Sequence, residues 1–108
     1  CNGELSKITS KVGLITADEL AFAGYAHELE NTTTYLQENI GTLWWWSLSP
    51  YDFSSIGAAV WGVLGGNGYF STSGVSDHAG GLRPSISLKS TTNVTGDGTS
   101  SSPFVVKI

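Results

Sequence analysis

Apolar residues occur along this chain in short bursts separated by longer polar stretches. The first burst, Val12-Gly13-Leu14-Ile15, is branched and is followed at once by Thr16-Ala17-Asp18-Glu19. A hydroxyl residue three positions before a glutamate is a capping box, so a strand is expected to feed a helix beginning at Thr16. Asp18 and Glu19 suit the positive end of the helix dipole, and Gly24 is placed to end the helix after about two turns. Leu20, Ala21 and Phe22 are then available to pack. From Tyr25 to Gly41 the pattern is weak and is expected to be mostly loop, although Thr34-Tyr35-Leu36-Gln37 suits a helical turn or a short strand.

The next burst is Leu43-Trp44-Trp45-Trp46-Ser47-Leu48-Ser49-Pro50. Alternation along a strand sends Trp44 and Trp46 to one face and Trp45 to the other, and Pro50 is expected to end the strand. Residues 58–64 and 69–72 flank Gly65-Gly66-Asn67-Gly68, a loop of residues that tolerate positive φ, which predicts a β-hairpin. Val75 is expected to open another short strand. Leu82-Arg83-Pro84-Ser85-Ile86-Ser87-Leu88 alternates through Ile86 and Leu88, with Pro84 held to an edge or to the strand's first residues. Residues 90–102 are small and polar and predict a turn or exposed loop, and Phe104-Val105-Val106-Lys107-Ile108 predicts a closing strand. Residues 1–11 form a lead-in arm, and residues 12–108 a single domain without internal repeats.

Composition narrows the partners. Only 13% of the 108 residues are charged, against about 25% in an average domain, so Ser, Thr, Asn and Gly supply the polar surface, as is common outside cells. The net charge is -4, with no Lys/Arg cluster, which removes the footprint needed to grip a phosphate backbone and excludes nucleic acid as a partner. No run reaches the roughly 20 apolar residues of a membrane span. A chain without Met that begins at Cys1 is expected to be a processed product or part of a longer protein. Cys1 has three readings: an intermolecular disulfide, or one to an upstream segment; lipidation; or an incidental thiol at a terminus.

Little in the sequence supports catalysis. No nucleophile elbow accompanies a Ser or Cys, and His27 and His78 each suit an exposed loop. Asp18 and Glu19 are explained by capping, while Asp52 and Asp77 have no spacing that pairs them across a cleft. Thr95-Gly96-Asp97-Gly98-Thr99 lacks the alternating acids of a calcium loop and predicts an Asx turn. Asn31-Thr32-Thr33 and Asn93-Val94-Thr95 match the glycosylation acceptor pattern, which matters only where the oligosaccharide machinery exists, and both suit polar turns. No cofactor and no metal is implied. The aromatic residues remain: Trp44, Trp45, Trp46 and Trp61 offer either core or a contact surface for protein or sugar.

Five segments, Val12-Gly13-Leu14-Ile15-Thr16-Ala17-Asp18-Glu19-Leu20, Tyr35-Leu36, Trp46-Ser47-Leu48-Ser49-Pro50, the Gly81-Leu82-Arg83-Pro84 block running to Ser90, and the stretch from Gly96 to Val106, carry a resemblance over nearly the whole chain. Together they resemble a family of uncharacterised extracellular C-terminal domains of surface and pilin-like proteins from gut-associated Firmicutes, with a C-type-lectin-like fold. The Gly-Leu-Arg-Pro block is similar to the Gly-Phe-Arg strand of C-type-lectin-like proteins with diversified binding loops. The resemblance implies a binding face built from the Ser49 to Ser55 loop, the hairpin from Trp61 to Tyr69 and the Ser73 to His78 loop. Its candidate ligand-binding residues are Tyr51, Asp52, Phe53, Trp61, Asn67, Tyr69, Asp77 and His78, with Trp44, Trp46 and Arg83 as framework. The Glu-Pro-Asn, Gln-Pro-Asp and Trp-Asn-Asp sets of calcium-dependent sugar binders are absent.

The expectation is therefore an α+β, C-type-lectin-like domain with one short helix on small antiparallel sheets. It would act outside the cell or at the bacterial surface as a non-enzymatic recognition or adhesion module for a protein or glycan. The alternative is a subunit or head of a pilus-like filament that binds copies of itself. An enzyme of unrecognised type is a third, weaker reading.

Overall fold

Thr16 starts the helix as its spacing predicts. In the computed structural model, which describes residues 8–38, 40–76 and 80–107, the Thr16 hydroxyl accepts from the Glu19 backbone at 3.2 Å while the Glu19 carboxylate accepts from the Thr16 backbone at 2.8 Å. The Thr16 backbone N–H and the Thr16 hydroxyl, which donates to the same carboxylate at 3.0 Å, hold the Glu19 carboxyl below its ordinary range. The helix, α1 (Ala17–Phe22), follows β1 (Gly13–Leu14), and Gly24 leaves it at φ +99°. Only Leu20 of its apolar residues is buried; Ala21 and Phe22 face outward, Phe22 at 96% exposure, because a two-turn helix turns a narrow stripe toward the core. The segment from Thr34 forms a 3₁₀ turn, Tyr35–Gln37.

The main sheet has three antiparallel strands in the order β2 (Trp44–Ser54), β3 (Gly57–Leu64) and β4 (Phe70–Gly74). The β3–β4 connection is the expected hairpin. Gly68 sits at φ +69°, where an added Cβ would fall 2.0 Å from the Asn31 carbonyl oxygen, so both conformation and space require glycine there. The Gln37 amide donates to the Gly65 carbonyl at 2.8 Å and binds this turn to the preceding segment.

Several boundaries differ from the pattern. Pro50 does not end the tryptophan strand, which continues to Ser54, so the expected Ser49 to Ser55 loop is largely strand. The register explains how: β2 advances from Trp46 to Pro50 while β3 moves only from Gly62 to Val60, and it slips again between Pro50 and Asp52. Proline is accepted at such a bulge on an edge strand, where its missing N–H breaks no ladder. Val75 opens no strand; it lies just past β4 and donates to the Ala58 carbonyl at 3.0 Å. The expected strand from Leu82 to Leu88 shrinks to β5 (Pro84–Ser85), paired with β1 through Gly13↔Ser85 and Leu14↔Pro84. Beyond it Ile86 and Leu88 are exposed, since β1 offers no further residues to pair. The polar 90–102 stretch contains β6 (Val94–Thr95), and the closing strand is only β7 (Val105–Val106), the two forming a separate antiparallel pair.

The core is small. Leu20, Tyr25, Trp45, Val63 and Phe70 are its buried residues, with Ile15, Ala17, Leu36, Ile40 and Trp61 packed against them. The molecule measures 49 × 32 × 22 Å with a radius of gyration of 15.6 Å, above the roughly 13 Å of a compact domain of this length. Far more large apolar side chains are exposed than buried among the described residues. No helix among the described residues is long and apolar enough to cross a membrane.

Candidate recognition surface

Alternation divides the tryptophans as expected. Trp45 is buried at 3% exposure, while Trp44 and Trp46 on the opposite face are partly covered. The Trp44 indole lies on Gly62 and the Trp46 indole on Gly80, each filling space a side chain would need. The indole N–H groups of Trp44 and Trp45 are buried without a hydrogen-bond partner. The outer edge of β2 is covered over its first half: Gly81 exchanges backbone bonds with Trp44 and Trp46, Leu48 donates to the Ile15 carbonyl, and the Ser49 hydroxyl accepts from the Ala17 N–H. Among the described residues no backbone partner meets that edge beyond Ser49.

The bulged half of β2 joins an aromatic row that runs from core to surface. Tyr25 meets Phe70 with ring centroids 6.1 Å apart, and Phe70 stacks on Trp61 at 4.9 Å and 25°. Tyr51 and His27 both meet Trp61 edge-on, at 5.0 and 5.1 Å. Such contacts contribute about 0.5 to 1.5 kcal/mol beyond burial. The inner end is anchored by the Tyr25 hydroxyl, which donates to Gln37 Oε1 at 2.8 Å and shares a hydrogen with the Thr34 hydroxyl at 2.9 Å. Burial raises the Tyr25 pKa above the ordinary tyrosine value.

At the outer end the β2–β3 hairpin carries Tyr51, Phe53 and Ile56 at 53, 67 and 97% exposure. Two shallow clefts flank it. One, of about 240 Å³, runs from Tyr51 and Asp52 to Gly74 and Ser76; the other, of about 310 Å³, lies between residues 50–53 and 58–60. The Asp52 carboxylate accepts from the Phe53 N–H at 2.8 Å, which directs it along its own strand.

Of the candidate residues, Tyr51, Asp52, Phe53 and Trp61 are thus brought together, with Trp61 within β3 and not in a loop. Asn67 and Tyr69 belong to the other hairpin, where the Asn67 side chain donates to Glu30 at 2.5 Å and accepts from the Tyr69 N–H at 3.1 Å. Asp77, His78 and Cys1 lie outside the described residues. Arg83 stacks over the Trp45 ring at 4.9 Å and donates to the Leu36 carbonyl. Sequence pattern had no means of placing Ile56 and the alanines of β3, which the β2–β3 pairing gathers, or His27, which reaches Trp61 by bridging to Phe70. Two of the three expected polar turns form: Asp97 accepts from the Thr99 hydroxyl and N–H, which holds its carboxyl below the ordinary range, and Asn31 accepts from Thr33 while donating to the Gly24 carbonyl; Asn93-Val94-Thr95 instead runs into β6, whose Val94 and Thr95 pair with β7. Among the described residues, no three metal-ligating side chains converge.

In comparison with known proteins, no family model, no curated protein and no solved structure matches this chain.

Proposed function

We propose that this chain is a non-enzymatic recognition or adhesion domain, acting outside the cell or at the bacterial surface, with a C-type-lectin-like scaffold. The observation that carries this reading is the bulged β2–β3 hairpin, which holds Tyr51, Phe53 and Ile56 in solvent on top of the Tyr25–Phe70–Trp61 row. Exposed aromatic and aliphatic side chains on a rigid strand pair are a contact surface for protein or for the faces of sugar rings. The bulge supplies the geometry, since it places Tyr51 against Trp61 where regular pairing would hold it in the ladder.

The test is retention of the purified chain on a glycan array and on intact cells, compared with the variant Tyr51→Ser/Phe53→Ser/Ile56→Ser. Retention lost in the folded variant supports the hairpin as the working face. Equal retention of both proteins removes it.

A filament subunit is the second reading. It is favoured by exposed apolar residues far from the hairpin in sequence, among them Phe22, Leu82, Ile86 and Phe104, because packing between subunits covers several patches where a single ligand covers one. Sedimentation at rising concentration and electron microscopy separate the two: ordered polymers support the filament, and a persistent monomer removes it.

A further inference from the structure

The turn that closes the β3–β4 hairpin contains Asn67-Gly68, one of two Asn-Gly dipeptides in the chain; the other, Asn2-Gly3, lies outside the described residues. The turn suits this pair, since Gly68 sits at φ +69° with no room for a side chain. The same lack of a side chain leaves the Gly68 main-chain nitrogen unhindered as a nucleophile. Once that nitrogen gives its proton to solvent base, it can attack the Asn67 side-chain carbonyl carbon. A C–N bond forms, the Cγ–Nδ2 bond breaks and ammonia leaves. Water then opens the resulting succinimide at either carbonyl, giving aspartate or isoaspartate. The net change turns an amide and water into a carboxylic acid and ammonia.

Both reacting groups are committed to other partners in the folded chain. The Gly68 N–H donates to the Leu64 carbonyl at 2.9 Å. The Asn67 carboxamide is pinned at both ends, its Nδ2 donating to Glu30 at 2.5 Å and its Oδ1 accepting from the Tyr69 N–H at 3.1 Å. Swinging it onto Gly68 breaks these bonds, and the main chain has no slack there, since a Cβ on Gly68 would fall 2.0 Å from the Asn31 carbonyl oxygen. We propose that Asn67 is a deamidation site that the fold holds unreacted, with Glu30 as its latch, and that conversion occurs only when the hairpin opens locally. A reaction that needs an open state is slowed by the small fraction of time spent open. The product does not reseat: an aspartate there sets a second carboxylate against Glu30, and an isoaspartate lengthens the main chain beside the crowded Gly68. The segment that Glu30 tethers also bonds the edge of β4, through the Glu28 N–H to the Phe70 carbonyl and the Phe70 N–H to the Leu29 carbonyl. Deamidation therefore loosens the seat of Phe70 in the aromatic row. The site belongs to the β3–β4 hairpin, and its failure would leave the recognition reading untouched.

The experiment incubates the full chain in mildly alkaline buffer, native and in denaturing guanidinium chloride, and follows position 67 by peptide mass mapping, with fragmentation that separates aspartate from isoaspartate. Asn67 is expected to convert to both products in the denatured chain, and at least about tenfold more slowly in the native one, because opening the turn breaks several hydrogen bonds. Glu30→Ala should speed native conversion severalfold at a temperature where circular dichroism shows the variant folded. Glu30→Gln keeps an oxygen acceptor for the Asn67 amide and should stay near the wild-type rate. Equal rates in the native and denatured chain overturn the proposal, as does a denatured chain in which Asn67 stays intact, or a folded Glu30→Ala variant that converts no faster than the wild type. The comparison of native and denatured states of the unmodified protein stands even where a Glu30 variant fails to fold.

Discussion

Replacing Gly62 with alanine would put a methyl group where the Trp44 indole now lies. The added Cβ would stand 2.6 Å from both Cε2 and Nε1 of that ring, well inside van der Waals contact, so the indole must move off β3. Overpacking of this kind costs about 1 to 3 kcal/mol. Against it, alanine in a strand interior is favoured over glycine by roughly 0.5 to 1 kcal/mol. The expected net loss is about 0.5 to 2 kcal/mol, which lowers the melting temperature by several degrees in a domain of this size. Urea denaturation followed by far-UV circular dichroism measures it, with tryptophan fluorescence as a second probe. The sign should reverse in a Trp44→Leu background, where the shorter side chain leaves the space open and only the strand preference for alanine remains. Gly62→Ala that is as stable as the wild type with Trp44 present would refute this packing, and so would an unchanged penalty once the indole is gone.

Thr16→Ala should cost about 1 kcal/mol by removing the helix cap. The depressed Glu19 pKa contributes stability that is present above the unfolded value, near 4.3, and lost as pH falls through the lower folded value; Glu19→Gln should therefore flatten the acid limb of a stability–pH curve measured by urea midpoints. Tyr25→Phe removes the hydroxyl bonded to Thr34 and Gln37 and is expected to cost about 1 to 3 kcal/mol. Because the Tyr25 pKa is raised, its contribution is complete below the unfolded tyrosine value, near 10, and lost as pH rises through the folded value; the wild type should lose alkaline stability that the variant does not. Ile56→Ser at the hairpin tip should change stability by no more than about 0.5 kcal/mol, while retention on a bound surface falls. A large drop in melting temperature would show instead that Ile56 is packed.

Local chemistry was legible in the sequence where it acts over a few residues. Thr16 and Glu19 announce their cap because both partners lie within one helical turn, and Gly65-Gly66-Asn67-Gly68 announces its hairpin because few other residues accept the turn. The alternation of Trp44, Trp45 and Trp46 foretold that Trp45 faces away from the other two, since a strand has only two faces, while the burial of Trp45 came from the structure. Pro50 misled, because a missing N–H ends a central strand but is harmless on an outer edge, and sequence does not say which edge a strand will occupy. Ile86 and Leu88 misled in the same way: their alternation supposes a partner that β1 is too short to provide.

The candidate surface was only half visible. Tyr51, Phe53 and Trp61 were named as single residues, but their meeting depends on the bulge between Trp46 and Asp52, and on His27 arriving from a segment without periodic pattern. Arg83 stood out as a framework residue by resemblance alone, whereas its stacking on Trp45 and its bond to the Leu36 carbonyl join segments far apart in the chain. The sequence by itself therefore determined the α+β class, the helix cap, the central hairpin and the facing of the tryptophans, all set by contacts between near neighbours. Only the tertiary structure decided which strand edge stays open, how few apolar residues the core can cover and which aromatic rings meet, because those outcomes rest on register and on contacts between distant segments.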